Sequence, residues 1–578
     1  MVPFPPSALR DYAVLADGER GVLVGPHGEL AWLCFPGWDD DAVFAGLVGG
    51  RGGYAVTPSA ASFVWGGSYE DGSLVWRSRW VTTDSIIESR EALALPSTPD
   101  RAVVLRRVEA SRGDAVVRVV LQPAASFGRA AADDVRRAAD GSWTARAGQV
   151  HLRWTGAAAA RADDDGTLTL ELRVPEGRHH DLVLELATTP FPDRPPDVDA
   201  AWLATERAWA ELVPTGLHTW AERDVRHAYA VLHGLTAASG GMVAAATMSL
   251  PERARAGRNY DYRYVWLRDQ AMAVQAVAGH GSSDLVDRAA AFVTERVLED
   301  GPGLRPVYTV RGGTPPAEHT LDLPGYPGSR AVVGNAARDQ FQVDVFGEVL
   351  ELYAAVGRLD RLTSEHWRAV ELTVEALRTR RHEPDAGIWE LRRNGRWAHS
   401  QLISVAGLRA VAALAPPAQA ADWRALADTV LAEATADCRR PDGTWQRGPE
   451  DPRVDASLLL PVIRGAVVGE SAARTVDAVL RDLGDQHHLY RFRYDERPLA
   501  EAEGAFLLCG FHAALALSGL GRPVEAARWF ERNRSATGPP RLFAEEYDVG
   551  QGQLRGNLPQ AFVHAALIEA ARVLAAAG

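Results

Sequence analysis

The chain has 578 residues, 47% apolar and 24% charged, with a formal net charge of −13. That much apolar side chain can bury a large core, which excludes wholesale disorder, and interspersed charges with an acidic excess exclude a nucleic-acid platform built on a basic stripe. All 62 basic residues are arginine, so Schiff-base chemistry and a P-loop phosphate grip, which need lysine, are excluded as well.

Met1 to Asp11 carries three prolines and no apolar h-region, so no signal peptide is expected, and no uncharged run is long enough to span a bilayer. Cys34, Cys438 and Cys509 are odd in number and widely spaced, which suits buried thiols in a reducing compartment rather than a disulfide framework. The expected location is cytoplasmic. Gly49-Gly50-Arg51-Gly52-Gly53 lacks the strand-to-helix setting and the Lys-Ser/Thr ending of a phosphate loop, and reads as a hairpin turn.

From about Ser73 to Thr189 the chain is a series of short alternating runs: Ala102–Val108, Ala115–Leu121, Leu168–Val174 and Asp181–Leu186. Leu168, Leu170, Leu172 and Val174 alternate with Thr169, Glu171 and Arg173, the period of a half-buried strand. Gly113-Asp114 and Asp165-Gly166 mark turns between runs. Many evenly spaced short strands predict an antiparallel sandwich. The adjacent pairs His179-His180 and His487-His488 cannot both face one metal, and no metal site is expected.

The proline-rich break Pro190–Pro196 ends this pattern. Beyond it the period is helical: Val225, Tyr229, Leu232 and Leu235 share a face that Ser239-Gly240-Gly241 ends, and Phe341, Val345, Val349 and Leu352 repeat it up to Gly357. About a dozen such segments follow one another with short connections, which favours antiparallel helix pairs. Periodicity fits a barrel of helix pairs and a looser bundle equally. Arg338, Asp339 and Asp344 read as a solvated helical face.

Four loop-like clusters hold polar and aromatic residues that a helical core does not need. They are Arg258 to Asp269 (RNYDYRYVWLRD), Gly387-Ile388-Trp389-Glu390, Ala502-Glu503-Gly504, and Phe543-Ala544-Glu545-Glu546-Tyr547-Asp548. Aromatic faces stack on pyranose rings while carboxylates and arginine bond the hydroxyls, so the composition suits a sugar site. Glycoside hydrolysis needs one carboxyl as proton donor and a second as nucleophile or base, and the Trp389 indole beside Glu390 can raise a carboxyl pKa. Composition does not single out two of the 75 acidic residues.

In six blocks, taken in order, the chain resembles glycoside hydrolase family 15, the glucoamylase, glucodextranase and bacterial trehalase group. They are the opening from Leu9-Arg10-Asp11-Tyr12 to Ala31-Trp32-Leu33-Cys34, then Tyr262-Arg263-Tyr264 to Trp266-Leu267-Arg268-Asp269, then Gly334-Asn335-Ala336-Ala337 to Gly347-Glu348. Gly387 to Glu390, Glu503 to Cys509, and Glu545-Glu546 with Gly556 to Phe562 complete the set. The resemblance implies an α+β multidomain chain: an N-terminal antiparallel β-sandwich (1–195), a linker (196–222) and a C-terminal (α/α)6 helical barrel (223–578).

It further implies inversion, with Glu390 as general acid and Glu545 as general base, their carboxyls about 6.5–9.5 Å apart to admit a water. Arg268 and Asp269 are implied to hold the terminal glucose, with Trp266 and Trp389 as pocket walls and Tyr260 and Glu503 as further ligands. Glu546 would point away from Glu545 on an extended segment. Tyr260 and His512 depart from the pattern, since tryptophan is common at both places near the pocket loops, and this bears on the substrate. The implied partner is a small α-glucoside and no cofactor is expected, while dependence on phosphate or magnesium is not readable from these residues. The opening third looks like the trehalase branch, which puts trehalose first, ahead of maltose, isomaltose and short dextrins. An inverting phosphorylase would replace the base with phosphate, and a non-catalytic relative would have lost a glutamate; both glutamates are present.

Overall fold

The computed structural model describes residues 4–192, 194–255, 257–281, 283–494 and 497–577. The alternating runs form two antiparallel sheets. Ala13–Ala16, Gly21–Val24, Glu29–Cys34, Gly53–Pro58, Ala115–Gln122, Leu168–Val174 and Arg161–Ala162 lie side by side in the first, with Ala42–Phe44 paired to Glu29–Cys34. The second has nine strands, with His179–Ala187, Arg101–Arg112 and Ile86–Leu93 at its centre. Leu168, Leu170 and Val174 point into the space between sheets, where Tyr54, Trp76, Trp80 and Trp154 form the core. The sheets begin at Ala13, well before the stretch whose alternation is plain, because the early strands are buried along their whole length and do not alternate.

The segment expected as a linker is largely helix α1 (Val198–Leu212). It is docked on the sandwich: Thr205 accepts a bond from the Leu95 amide at 3.0 Å and Glu206 pairs with Arg90 at 2.7 Å. The barrel helices follow: α2 (Glu222–Gly234), α3 (Leu267–Ala278), α4 (Asp284–Asp300), α5 (Asp344–Arg358), α6 (Ser364–Arg380), α7 (Ala398–Ala412) and α8 (Pro417–Cys438). Then come α9 (Leu459–Ile463), α10 (Gly469–Leu483), the single turn α11 (Leu499–Ala502), α12 (Leu507–Gly519), α13 (Pro523–Arg534) and α14 (Ala561–Ala577).

Helices α3, α5, α7, α9, α12 and α14 each pack on the next, and α14 returns to α3, closing an inner ring; α2, α4, α6, α8, α10 and α13 form the outer layer. The architecture is the expected sandwich followed by an (α/α)6 barrel. Inner helices are buried on nearly every side, α3 from Leu267 to Val277 without a break, whereas α4 and α6 bury one stripe. Helices α5 and α7 approach backbone to backbone through Gly347 and Gly407. A Cβ on Gly347 would lie 2.7 Å from the Ile403 carbonyl. Among the described residues no helix is long and apolar enough to cross a membrane.

The sandwich grips the loop that leads into α3. Arg263, fully buried, pairs with Asp261 at 2.7 Å and donates to the carbonyls of Asp40 (2.7 Å) and Trp38 (3.4 Å) across the domain boundary. Trp32 of the sandwich donates to the Ala246 carbonyl at 3.0 Å. Arg263→Met strands a buried carboxylate and two carbonyl acceptors, so a stability loss of about 3–5 kcal/mol is expected. Thermal midpoints of the intact chain check this, with Arg263→Lys, which keeps the charge but not the fork, falling between the two.

Candidate active site

The loops at one end of the barrel enclose a cavity of about 210 Å³ whose wall includes Tyr260, Tyr262, Trp266, Arg268, Asp269, Trp389, Glu390 and Glu545. Seven of the eight residues singled out from sequence and resemblance border it. Glu503 does not. It is 1% exposed and stands behind the wall, where it pairs with Arg491 at 2.5 Å and Arg258 at 3.4 Å. Arg491 and Arg258 face the cavity, and Glu503 is their counter-ion.

Trp266 is set by a two-residue ladder in which Val265–Trp266 pairs with Val307–Tyr308. Its indole N–H donates to Glu390 Oε1 at 2.5 Å. The Tyr262 hydroxyl donates to Glu545 Oε1 at 2.7 Å. The two rings meet edge to face with centroids 5.5 Å apart, so one aromatic pair carries both carboxylates.

Glu390 lies midway along a tight loop closed by the Asp385–Gly395 bridge, and its φ of 52° is left-handed, a region that costs a side chain roughly 1–2 kcal/mol. Arg268 crosses to this loop, donating to the Ile388 carbonyl at 2.8 Å, pairing with Asp269 at 3.1 Å and lying 3.7 Å from Glu390. Trp389 is fixed by Asp455, 2.7 Å from its indole nitrogen. Burial pushes the Glu390 carboxyl up, against the pull of Arg268 and the Trp266 bond. Asp269, in the first turn of α3, is pushed up to about 6 by burial despite Arg268.

Glu545 immediately precedes the strand Glu546–Asp548, which pairs with Ala505–Phe506 and Gln553–Arg555. Alternation sends the neighbours apart. Glu545 reaches the cavity, while Glu546 turns behind it to accept the Gly504 amide at 2.7 Å. Burial and then the charge of Glu252 push the Glu545 carboxyl up, opposed by Arg491 and the Tyr262 bond. The backbone under Glu545 is Gly556, at φ 76°, where an added Cβ would sit 2.8 Å from Glu545 Oε2.

Carboxylate oxygens of Glu252, Glu503 and Glu546 approach within 4.8 Å of one another, the one such acidic group among the described residues. Arg491 Nη2 lies 3.4, 2.5 and 3.4 Å from them, so a guanidinium balances this charge. Glu252 and Arg491 were not legible as site residues; each lies in a polar stretch resembling many surface segments. Tyr262 was in view within its loop, without its role as a donor.

Two further expectations fail. Asp344 is not on a solvated face: it is fully buried, it starts inner helix α5, and neither carboxylate oxygen has a partner among the described residues. A helix buried all round defeats an amphipathic reading. His512 does not border the cavity but lies in the barrel interior, near Glu569 and Arg464.

With this geometry in hand, the comparisons are specific. Residues 226–572 match glycosyl hydrolases family 15, and residues 6–189 match a family described as trehalase-like, N-terminal. A trehalase of Mycobacterium tuberculosis is 30% identical over 98% of this chain and 89% of its own length, and a trehalase of Mycolicibacterium smegmatis is 29% identical over 98% and 91%. A crystal structure of a bacterial glucoamylase complexed with acarbose superposes with a TM-score of 0.72, covering 99% of this chain and 95% of its own, at 13% identity, and so shares the fold.

Gly556→Ala is expected to lower turnover at least tenfold by displacing Glu545 and straining a left-handed residue. Steady-state rates on a glucoside, with circular dichroism to confirm the fold, check this.

Proposed function

The chain belongs to glycosyl hydrolases family 15, and on that footing we propose that it is an inverting, exo-acting α-glucoside hydrolase that cleaves trehalose. The observation that carries the reading is the pair Glu390 and Glu545, on separate loops of one cavity and linked through Trp266 and Tyr262. The names of the mycobacterial relatives support trehalose as the substrate.

In the proposed reaction Glu390 gives its proton to the glycosidic oxygen as the bond to C1 breaks. Water attacks C1 from the opposite face, and Glu545 takes the water's proton. Glu390 suits the acid. Its side chain keeps 24% exposure, room for a leaving group. Glu545, 2% exposed, suits a base that shelters one water from bulk solvent. Arg268 and Asp269 supply donor and acceptor for hydroxyls of the terminal glucose. Those steps use water and need no cofactor. The cavity is smaller than the roughly 300–1,000 Å³ of a drug-sized site, which favours a ligand of one or two rings over a polymer.

NMR of the anomeric protons during hydrolysis of trehalose, maltose, isomaltose and maltotriose tests the reading. Trehalose is expected to give α- and β-glucose in equal initial amounts, because only one ring changes configuration. Glu390→Gln and Glu545→Gln are each expected to lose about 10²–10⁴-fold in kcat. Purely α-glucose from the start would mean retention and refute the acid–base assignment.

The pH profile gives a second test. Activity needs Glu545 ionised and Glu390 protonated, and burial raises both carboxyls, Glu545 to about 8, so Glu545 governs one limb of the profile and Glu390 the other. The charge of Glu252 favours the protonated form of Glu545. Glu252→Gln is therefore expected to move the limb of kcat/KM that Glu545 governs to lower pH and leave the other in place.

A further inference from the structure

The cavity has a closed end and an open one. At the closed end the charged groups are already matched. Arg268 is paired with Asp269, Arg258 and Arg491 with Glu252 and Glu503, and Glu545 is bonded to Tyr262. The open end differs. Arg392 and Glu318 border the cavity, both are exposed, and neither makes a hydrogen bond or ion pair with any described residue. Gln340 borders it too; its carbonyl accepts from Gln342 at 3.0 Å, and its own amide N–H groups are uncommitted.

We propose that Arg392, with Glu318 and Gln340, forms the binding site for the leaving sugar and sets the enzyme's preference for a disaccharide. This rests on the hydrolase reading above. The leaving oxygen is protonated by Glu390, so the leaving ring lies on the Glu390 side. That is the open end, since Glu390 is the partly exposed carboxylate and Glu545 the enclosed one. Arg392 follows Glu390 by two residues on the same loop and borders the same cavity. A sugar hydroxyl both donates and accepts, and a mouth holding an unpaired guanidinium, an unpaired carboxylate and an amide offers partners for both roles. A guanidinium fork also spans adjacent hydroxyls. Because these groups have no partner in the protein, they lose none when the sugar binds, and the contact is not offset by breaking an internal pair.

The test compares two substrates that share the attacked glucose and differ in what leaves: trehalose, and α-D-glucosyl fluoride, which has no second ring. The readout is the ratio of kcat/KM for trehalose to kcat/KM for the fluoride. Arg392→Ala is expected to lower this ratio by about tenfold or more, the effect of losing a charge-assisted hydrogen bond. Glu318→Gln is expected to lower it several-fold. Both residues are exposed, so the variants are expected to fold with thermal midpoints close to the parent's. A ratio within twofold of the parent's in both variants overturns the proposal. So does a parallel fall on both substrates, which would mean that Arg392 acts through Glu390. If the parent is inert on trehalose but cleaves maltose, the substrate assignment fails and the ratio is taken with maltose. A parent inert on every disaccharide and on the fluoride removes the hydrolase reading and this one together.

Discussion

The site depends on two aromatic donors, four residues apart on one loop. Tyr262 holds Glu545, Trp266 holds Glu390, and the rings hold each other. The two carboxylates come from distant parts of the chain, and each is attached to its own loop by little else on the cavity side. Their spacing therefore follows the placement of the Tyr262–Trp266 loop. That loop is over-determined: the Val307–Tyr308 ladder fixes one end, and Arg263 ties its middle to carbonyls of the sandwich. The N-terminal domain is thus part of the catalytic frame although it contributes no wall residue.

Charge is the second constraint. Arg268 and Arg491 are each surrounded by carboxylates in places where water is scarce. Arg268 sits between Asp269 and Glu390, and Arg491 faces Glu252, Glu503 and Glu546. An unpaired carboxylate at such a depth would take up a proton, and an unpaired guanidinium would be very costly. Acid outnumbers base around each arginine, burial dominates, and the carboxyls of Asp269, Glu390 and Glu546 move upward.

Much of this was legible in the sequence, for physical reasons that also mark its limits. Leu168–Val174 appeared as a strand because one of its faces is buried, and period two reports that asymmetry. Ala13–Ala16 and Gly21–Val24 did not, because burial on both faces leaves no alternation to read. Outer helices announced themselves by a stripe, whereas α5 carries Asp344 into the interior, where polarity is a poor guide to exposure. Glu390 and Glu545 were picked out through resemblance, since a carboxylate's depth and donors are three-dimensional facts. Glu503 shows the same limit in reverse: its block pointed to the site, but its distance from the cavity depended on Arg491 standing between.

The site is also where the fold is least comfortable. Glu390 is left-handed, partly exposed and pushed up by burial, and its charge in turn raises Asp344 and Asp269 beside it. Asp344 has two carboxylate oxygens without a protein donor, and Glu545 has one. A sequence optimised for stability alone would relieve each of these, with glycine or asparagine at 390 and an apolar residue at 344. None is relieved here, and the barrel can tolerate them because its inner ring is closed and packed backbone to backbone at Gly347 and Gly407. The tolerance has a chemical consequence. A carboxyl that must donate a proton gains from a surrounding that resists its ionisation, so the burial that costs stability at Glu390 is also what holds its proton ready for the leaving oxygen.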